Sequence, residues 1–198
     1  MANPIPLEYG KSYHIYNRGN NRENLFVEER NYRYFLGLYT KHIRPVADTF
    51  AYCLLRNHFH VAVRIKAASE IAIELRREPL QSPSQYFANF FNAYARAFNN
   101  TYRRSGALFQ RPFGRVEVKH ISQFRRLIVY IHQNAQKHDF VDDFRQWPYS
   151  SYHTILSLKK TLLKRDNVIA WFDNKSSFVQ SHETTVYLHE VADLVPDD

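Results

Sequence analysis

The sequence is best approached through the stretch Asn57-His58-Phe59-His60-Val61-Ala62-Val63-Arg64-Ile65, which changes character from one residue to the next. The odd-numbered positions from 59 to 65 hold the large apolar residues, and the even-numbered positions hold both histidines and Arg64. Successive side chains of a strand point to opposite faces, so the pattern predicts a strand with one apolar face and two neighbouring imidazoles on the other. Two histidines on a rigid strand can begin a metal site, whereas the plainer interpretation is a pair of polar residues on a solvated face.

Length and composition restrict the class of protein. A chain of 198 residues suits one domain, or one domain with an appended module, and 44% hydrophobic residues indicate a globular protein. The single cysteine, Cys53, excludes intramolecular disulfides and any multi-cysteine zinc cluster. The start of the sequence lacks a basic region followed by an apolar core, and no apolar run approaches the ~20 residues of a membrane span. We therefore expect a soluble, cytoplasmic protein without a membrane partner.

The charge distribution points to a polyanionic partner. The formal net charge is +8, the pI is about 9.6, and the span from Pro79 to Val116 has no Asp or Glu but several arginines among its aromatic residues. We predict DNA contacts from this span, from the polar loop 18–22 and from a later helix. The predicted DNA-binding residues are Arg18, Asn20, Arg22, Arg96, Arg103, Arg104, Arg111, Arg115 and Arg126. For the loop, an ordinary turn is an equally good interpretation.

Hydrophobic periodicity predicts the order strand, helix, strand, strand, helix, strand along the first part of the chain. The predicted strands are 11–17, 48–55, 58–65 and 116–119, and the predicted helices are 28–44, 67–77 and 84–104. This order is the split βαβ, ferredoxin-like arrangement, an α+β fold in which core helices cover one face of an antiparallel sheet.

A later helix, predicted from Ser122 as N-cap to Gln136, carries a second candidate group. Tyr130 and Asn134 are four residues apart, so they sit together on one edge of the apolar stripe and can both point into a cleft. The plainer interpretation is a boundary tyrosine that packs its ring and leaves its hydroxyl in water. A tyrosine hydroxyl, with a pKa near ~10, is a poor nucleophile, but it can attack a phosphodiester when a metal neutralises charge on the phosphate oxygens.

These two groups together predict a metal-assisted reaction at a phosphodiester. His58 and His60 would supply two metal ligands, the amide oxygen of Asn134 a third, and Tyr130 would be the nucleophile. A site of nitrogen and oxygen donors with open positions suits Mg²⁺ or Mn²⁺. Attack would leave a phosphotyrosine link and a free hydroxyl, which keeps the bond energy for rejoining.

Several motifs resemble one family of DNA-processing proteins. His58-Phe59-His60 resembles the His-hydrophobe-His signature of the HUH endonucleases, and the helix with Tyr130 and Asn134 is similar to the tyrosine helix of their single-tyrosine transposases. The sequence looks most like the REP-associated tyrosine transposase subgroup, from roughly Tyr9 to Asp173. The motifs are Tyr13-His14-Ile15, Arg18-Gly19-Asn20-Asn21-Arg22, Phe109-Gln110-Arg111-Pro112-Phe113 and Trp147-Pro148-Tyr149-Ser150-Ser151-Tyr152.

The resemblance implies a ferredoxin-like core that cleaves and rejoins single-stranded DNA through a 5′-phosphotyrosine, with a divalent metal, and that recognises a hairpin with its flanking bases. It implies Tyr130 as the nucleophile and His58, His60 and Asn134 as metal ligands, and it leaves a monomer and a homodimer both open. The subgroup's tyrosine helix commonly continues Asn-Pro, whereas Ala135 follows Asn134 here, so we expect this helix to run further.

The C-terminal part is less strongly patterned. We divide the chain into a catalytic domain at 1–140, a helical extension at 141–175 and a tail at 176–198. Within the extension the pattern predicts helices at 151–164 and 166–173. The tail is predicted to be mobile or to bind a partner.

Three other functions compete with a transposase-type nuclease. A domesticated relative would hold structured single strands without cutting them, and a replication initiator or conjugative nickase would use the same chemistry. The order of the motifs, with the histidines before the tyrosine, favours the transposase. A ferredoxin-like protein without a nucleic-acid partner would leave the acid-free span 79–116 unexplained.

Overall fold

A four-stranded antiparallel sheet lies at the centre of the computed structural model, which describes residues 5–75 and 79–195. The strands are β1 (Ser12–Arg18), β2 (Ala47–Leu54), β3 (His58–Ile65) and β4 (Gly114–Glu117), in the spatial order β2-β3-β1-β4. All neighbouring strands run antiparallel. This is the order that the split βαβ pattern predicts, so the α+β, ferredoxin-like fold is confirmed.

The helices of the described residues largely follow the predicted periodicity. They are α1 (Glu29–His42), α2 (Ala68–Leu75), α3 (Pro83–Thr101), α4 (Ile121–Lys137), α5 (Tyr152–Leu156), α6 (Arg165–Trp171) and α7 (Lys175–Ser181). The last two residues of the helix predicted at 67–77 lie outside the described residues. Ser122 is not the N-cap of α4, because Gln123 Oε1 accepts the backbone N–H groups of Lys119 and His120 and fixes an earlier start. None of these helices is long and apolar enough to cross a membrane.

The two sides of β3 have different neighbours. On its apolar side the Phe59 ring packs against Phe35 of α1 and Phe91 of α3, with ring centroids 5.2 Å and 5.7 Å away. On the other side His58 and His60 face α4. The core helices α1 and α3 therefore cover one face of the sheet, as predicted, and the tyrosine-bearing helix covers the other. A single strand thus contributes both to the core and to the candidate site.

The outer edge of β2 is covered by segments that follow α4. Three backbone N–H···O bonds of 2.9 Å join this edge to the C-terminal part: Leu54 to Tyr149, Ser151 to Tyr52 and Lys164 to Thr49. The indole N–H of Trp147 also donates to the Leu54 carbonyl. The C-terminal part is therefore attached to the sheet along one side.

The C-terminal part corrects two predictions. The helix predicted at 151–164 is only the five-residue α5, because the chain then turns to bond along β2 and leaves Leu158 89% exposed. The tail predicted from residue 176 contains most of α7, and Val191, Leu194 and Val195 are buried in the main core. Their burial holds this segment against the body of the protein, which a weak local pattern did not show. The division of the chain at residue 140 stays a prediction.

Candidate functional site

The four residues predicted for catalysis and metal binding come together between β3 and α4 of one chain. Strand alternation turns His58 and His60 towards α4, and the four-residue spacing turns Tyr130 and Asn134 towards the strand. None of the four is more than 4% exposed. Tyr130 is therefore not at the predicted boundary position, because the sheet covers that side of the helix.

Two hydrogen-bond acceptors face each other at the centre of this site. His58 Nδ1 donates its proton to Asn57 Oδ1 at 2.7 Å, so Nε2 of the neutral ring carries a lone pair. This Nε2 lies 3.3 Å from Asn134 Oδ1, which is also an acceptor. Two lone pairs at this distance repel each other, and a cation bound by both would remove the repulsion. With the amide oriented in this way, in which Asn134 Nδ2 has no hydrogen-bond partner among the described residues, His58 Nε2 and Asn134 Oδ1 could both bind one metal ion.

His60 supplies a third lone pair. Its Nδ1 lies 3.0 Å from His14 Nε2, while its Nε2 is buried without a hydrogen-bond partner among the described residues. A buried polar atom left unpaired costs about 1–3 kcal/mol and marks a place that a ligand can satisfy. The side chains present therefore fit a divalent metal held by His58 Nε2, His60 Nε2 and Asn134 Oδ1.

The imidazoles of the site are neutral at physiological pH. Burial, followed by the proximity of His138 and then of the Arg18 guanidinium, lowers the pKa of His58 to about 3, although Asn134 opposes the shift. Burial also holds the pKa of His60 well below its ordinary value. A metal ion binds only the unprotonated nitrogen, so these shifts keep both rings ready to act as ligands.

The donor set is neutral and mixed. Across residues 5–75 and 79–195, no three His, Cys, Asp or Glu side chains are grouped so as to hold a metal ion. The candidate ligands are therefore two imidazoles and one amide, which leaves the positive charge of the ion available to an anionic substrate. Two imidazole nitrogens and one amide oxygen can hold a divalent ion whose remaining positions are filled by phosphate oxygens or water.

Tyr130 is held between the metal-ligand candidates and a lysine. Its ring meets the ring of His60 edge-on, with centroids 5.9 Å apart. On α4 itself, Lys137 Nζ lies 4.1 Å from the centre of the Tyr130 ring and donates to the Val186 carbonyl. Burial lowers the pKa of Lys137 to about 8. A cation against the ring face favours negative charge on the phenol oxygen, which suits a nucleophile.

Arg18 lies at the candidate site. It is the cross-strand partner of His58 in the register of β1 and β3, so both side chains are on the same face of the sheet. The Arg18 carbonyl accepts the Gln110 N–H at 2.9 Å, and the N–H of the next residue, Gly19, donates to the Asn57 carbonyl at 2.7 Å. The predicted phosphate-binding loop 18–22 and the loop after α3 therefore meet beside the histidines.

The other predicted DNA-binding residues divide into two groups. The guanidinium of Arg104 is paired with Glu23 and with backbone carbonyls, and that of Arg115 lies 3.6 Å from the Phe113 ring centre and donates to Ser84. These two have structural contacts, and a DNA role for them stays a prediction. Arg22, Arg96, Arg103, Arg111 and Arg126 are exposed, and Asn20 is half-buried. Arg111 lies in the loop that adjoins Arg18.

Four residues of the site were missed in the sequence: His14, Asn57, Lys137 and His138, whose ring centroid lies 4.6 Å from that of His58. The alternation of Tyr13-His14-Ile15 places His14 on the polar face of β1, and pairing β1 with β3 would have placed it diagonally across from His60. Asn57 gave no such signal, because a short connection between strands commonly contains asparagine. Lys137 follows Asn134 by three residues and was therefore within reach of helical spacing.

The comparisons with known proteins concern the family that the motifs resemble. The chain is 29% identical over 110 residues to a Haemophilus influenzae protein named "Putative REP-associated tyrosine transposase". That alignment covers 54% of this chain and 59% of the relative, so the chain spans about three fifths of the length of the relative it matches. The chain resembles the REP-associated tyrosine transposases. The resemblance predicted from the motifs is confirmed.

A solved structure shares the fold of the chain. It is described as the REP-associated tyrosine transposase bound to a REP hairpin, and it matches with a TM-score of 0.60 at 16% identity. The match covers 79% of this chain and 85% of that one. At this identity the likeness to a REP-associated tyrosine transposase shows a shared fold. No protein-family model matches the chain.

Proposed function

We propose that the protein is a metal-dependent endonuclease and strand transferase that acts on single-stranded, hairpin-containing DNA through a 5′-phosphotyrosine. The observation that carries the proposal is that His58 Nε2 lies 3.3 Å from Asn134 Oδ1 beside His60, whose Nε2 has no partner among the described residues. The His60 ring centroid is 5.2 Å from that of His58 and 5.9 Å from that of Tyr130. The resemblance to REP-associated tyrosine transposases supports the same reaction class. A purely structural site would have these polar atoms paired with one another.

The reaction is a transfer of a phosphodiester to and from Tyr130. Its hydroxyl oxygen bonds to phosphorus, the bond from phosphorus to the 3′ oxygen breaks, and the 3′ oxygen leaves as a hydroxyl while the phenolic proton passes to solvent. A 3′ hydroxyl of another strand reverses the step and frees the tyrosine. A divalent ion held by His58, His60 and Asn134 would stabilise the charge that develops on the phosphate oxygens. Lys137 stabilises the phenol oxygen as it loses its proton.

The DNA strand is positioned by the positive surface around Arg18. This residue lies directly across from His58, and the loop containing Arg111 adjoins it. A guanidinium can bind two phosphate oxygens at once, so Arg18 orients the phosphate next to the ligands. A net charge of +8 attracts the backbone over a longer distance. A hairpin substrate is supported by the solved structure of similar fold, which is described as bound to a REP hairpin.

The test is a search for the covalent adduct. The purified protein is incubated with Mn²⁺ and a pool of single-stranded oligonucleotides that carry a hairpin and a randomised 5′ flank. The label is at the 3′ end, because a 5′-phosphotyrosine remains with the downstream fragment. We expect a labelled band that survives denaturation, disappears with a chelator and maps to Tyr130 by mass spectrometry.

Two tyrosine variants make the test specific. Tyr130→Phe removes only the hydroxyl, and we expect it to fold, to bind the hairpin and to give no adduct. Tyr34→Phe changes a half-exposed tyrosine on α1, across the sheet from the site, and should leave the adduct unchanged. Hairpin binding without any adduct in the wild-type protein would show a binding protein rather than a nuclease. An undiminished adduct in Tyr130→Phe would disprove the assignment of the nucleophile.

A further inference from the structure

His14 is a fully buried histidine to which neither the motifs nor the comparisons give a role. It lies on β1, on the face of the sheet that carries the candidate site, and its exposure is 0%. Nδ1 of its ring lies 2.8 Å from the Leu194 carbonyl oxygen, and its Nε2 lies 3.0 Å from His60 Nδ1. His14 therefore bridges the C-terminal segment and a metal-ligand candidate.

The carbonyl at one end determines where the protons lie in this chain of contacts. A carbonyl oxygen only accepts, so His14 Nδ1 must carry the proton and donate it to Leu194. Nε2 of the neutral His14 ring is then an acceptor, and it receives the proton on His60 Nδ1. The remaining nitrogen, His60 Nε2, keeps its lone pair, and it has no partner among the described residues. The lone pair faces the side of the sheet on which Tyr130 lies.

A second histidine pair in the protein shows what a structural pair looks like. His132 Nδ1 and His182 Nε2 are 2.8 Å apart, and His182 Nδ1 donates to the Phe178 carbonyl. The last nitrogen of this series of hydrogen bonds also has a partner, because His132 Nε2 lies 2.7 Å from Ser151 Oγ. The two series of hydrogen bonds are built alike, but the series that contains His14 ends at His60 Nε2, which has no partner among the described residues. This difference indicates that the His14 series serves a ligand.

We propose that His14 is a positioning residue that fixes the ring orientation and the proton arrangement of His60 for metal binding. The proposal rests on the metal site of the proposed function. Hydrogen bonds of this kind to a ligating imidazole hold one tautomer and commonly change metal affinity by about 10–100-fold. His14 touches neither the metal nor the DNA, and it acts only through His60.

The C-terminal segment has a part in this arrangement. Leu194 is held in place by the burial of Val191 and Val195 in the core, and the neighbouring Asp193 accepts a hydrogen bond from Gln123 of α4 at 3.0 Å. Because the Leu194 carbonyl sets the proton on His14, the segment that carries it determines which nitrogen of His60 is free. The end of the described chain thus contributes to the site from outside the ferredoxin-like core.

The first experiment needs no variant. Long-range ¹H–¹⁵N spectra of the metal-free wild-type protein report which ring nitrogen of each histidine carries the proton. We expect the Nδ1–H form for both His14 and His60, with assignment by the loss of signals in His14→Gln and His60→Gln. A proton on His60 Nε2 would overturn the proposal whatever the protein does with DNA.

The second experiment measures Mn²⁺ affinity by calorimetry, with unfolding temperature and hairpin binding as checks on folding. His14→Leu removes both hydrogen bonds and should weaken Mn²⁺ binding about 10–100-fold. His14→Gln can accept from His60 and donate to Leu194, so it should restore most of the affinity. His132→Gln, in the other series of hydrogen bonds, should leave Mn²⁺ affinity unchanged.

The outcomes separate this proposal from the proposed function. If the wild-type protein binds Mn²⁺ and His14→Leu binds it equally well, His14 is only a buried structural residue and the proposal fails alone. If the wild-type protein does not bind Mn²⁺ at all, the metal site of the proposed function fails, and the role of His14 fails with it. Weaker binding in His14→Leu together with recovery in His14→Gln supports both.

Discussion

Gly114 is a position at which a single added methyl group should disturb the candidate site. The ring of Tyr16, which is the cross-strand partner of both Gly114 and His60, lies over this glycine. In Gly114→Ala the new Cβ would be 2.1 Å from Tyr16 Cε2, whereas ordinary contact begins near 3.4 Å, so the ring must move by about 1.3 Å. Because the ring stacks on His14 with centroids 4.9 Å apart, the movement is opposed. We expect a cost of about 1–3 kcal/mol in the free energy of unfolding.

Urea denaturation and thermal unfolding measure this cost. A loss of about 2 kcal/mol corresponds to an unfolding temperature lower by about 4–8 °C for a chain of this size. Gly37→Ala is the matched control, because Gly37 lies on α1 with nothing within 4 Å of its added Cβ, and alanine there should stabilise by about 0.5–1 kcal/mol. In a Tyr16→Leu background the cost of Gly114→Ala should largely disappear. An equal cost with and without the Tyr16 ring would refute the reasoning.

Two further predictions concern charge. Asp48 is nearly buried and forms ion pairs with Arg64 and Lys164. Burial raises the pKa of its carboxyl group, but the two cations outweigh this effect and hold the pKa below its ordinary value. Asp48→Asn should therefore cost about 1–3 kcal/mol at pH 7, and urea titrations should show that the difference vanishes as the pH falls through the lowered pKa. Burial lowers the pKa of His182 to about 4 and that of His132 well below its usual range, so only the unfolded chain gains protons below about pH 6.5. Stability should fall by about 1.4 kcal/mol per pH unit for each of them, and an unfolding midpoint that stays constant from pH 7 to 5 would contradict this.

The features that the sequence predicted correctly rest on local periodicity. The alternation in residues 57–65 follows from strand geometry, and it placed His58 and His60 on one face before any partner strand was known. The four-residue spacing of Tyr130 and Asn134 is a helical property of the same kind. Both patterns are repeated over several residues, so a single sequence is enough to recognise them.

The features that could not be predicted from the sequence depend on contacts between residues that are far apart along it. Arg104 lies in an acid-free span, but its guanidinium binds Glu23, which is 81 residues away in the chain. His14 acquires its neighbours only when β1 pairs with β3 and when Leu194, 180 residues later, reaches the same place. The helix predicted at 151–164 ends early for a similar reason, since the Lys164 N–H bonds to Thr49 of β2. No local pattern contains this information.

The attachment of the C-terminal part to β2 also affects how copies of the protein can associate. An uncovered strand edge invites another chain to add a strand, which leads to dimers, exchanged segments or fibrils. Here the N–H and C=O groups of β2 already bond to Tyr149, Ser151 and Lys164. Growth of the sheet from this side would first require that part to detach, and the opposite edge is the four-residue β4. The same backbone bonds that fasten the C-terminal part therefore protect the folded protein against edge-to-edge aggregation.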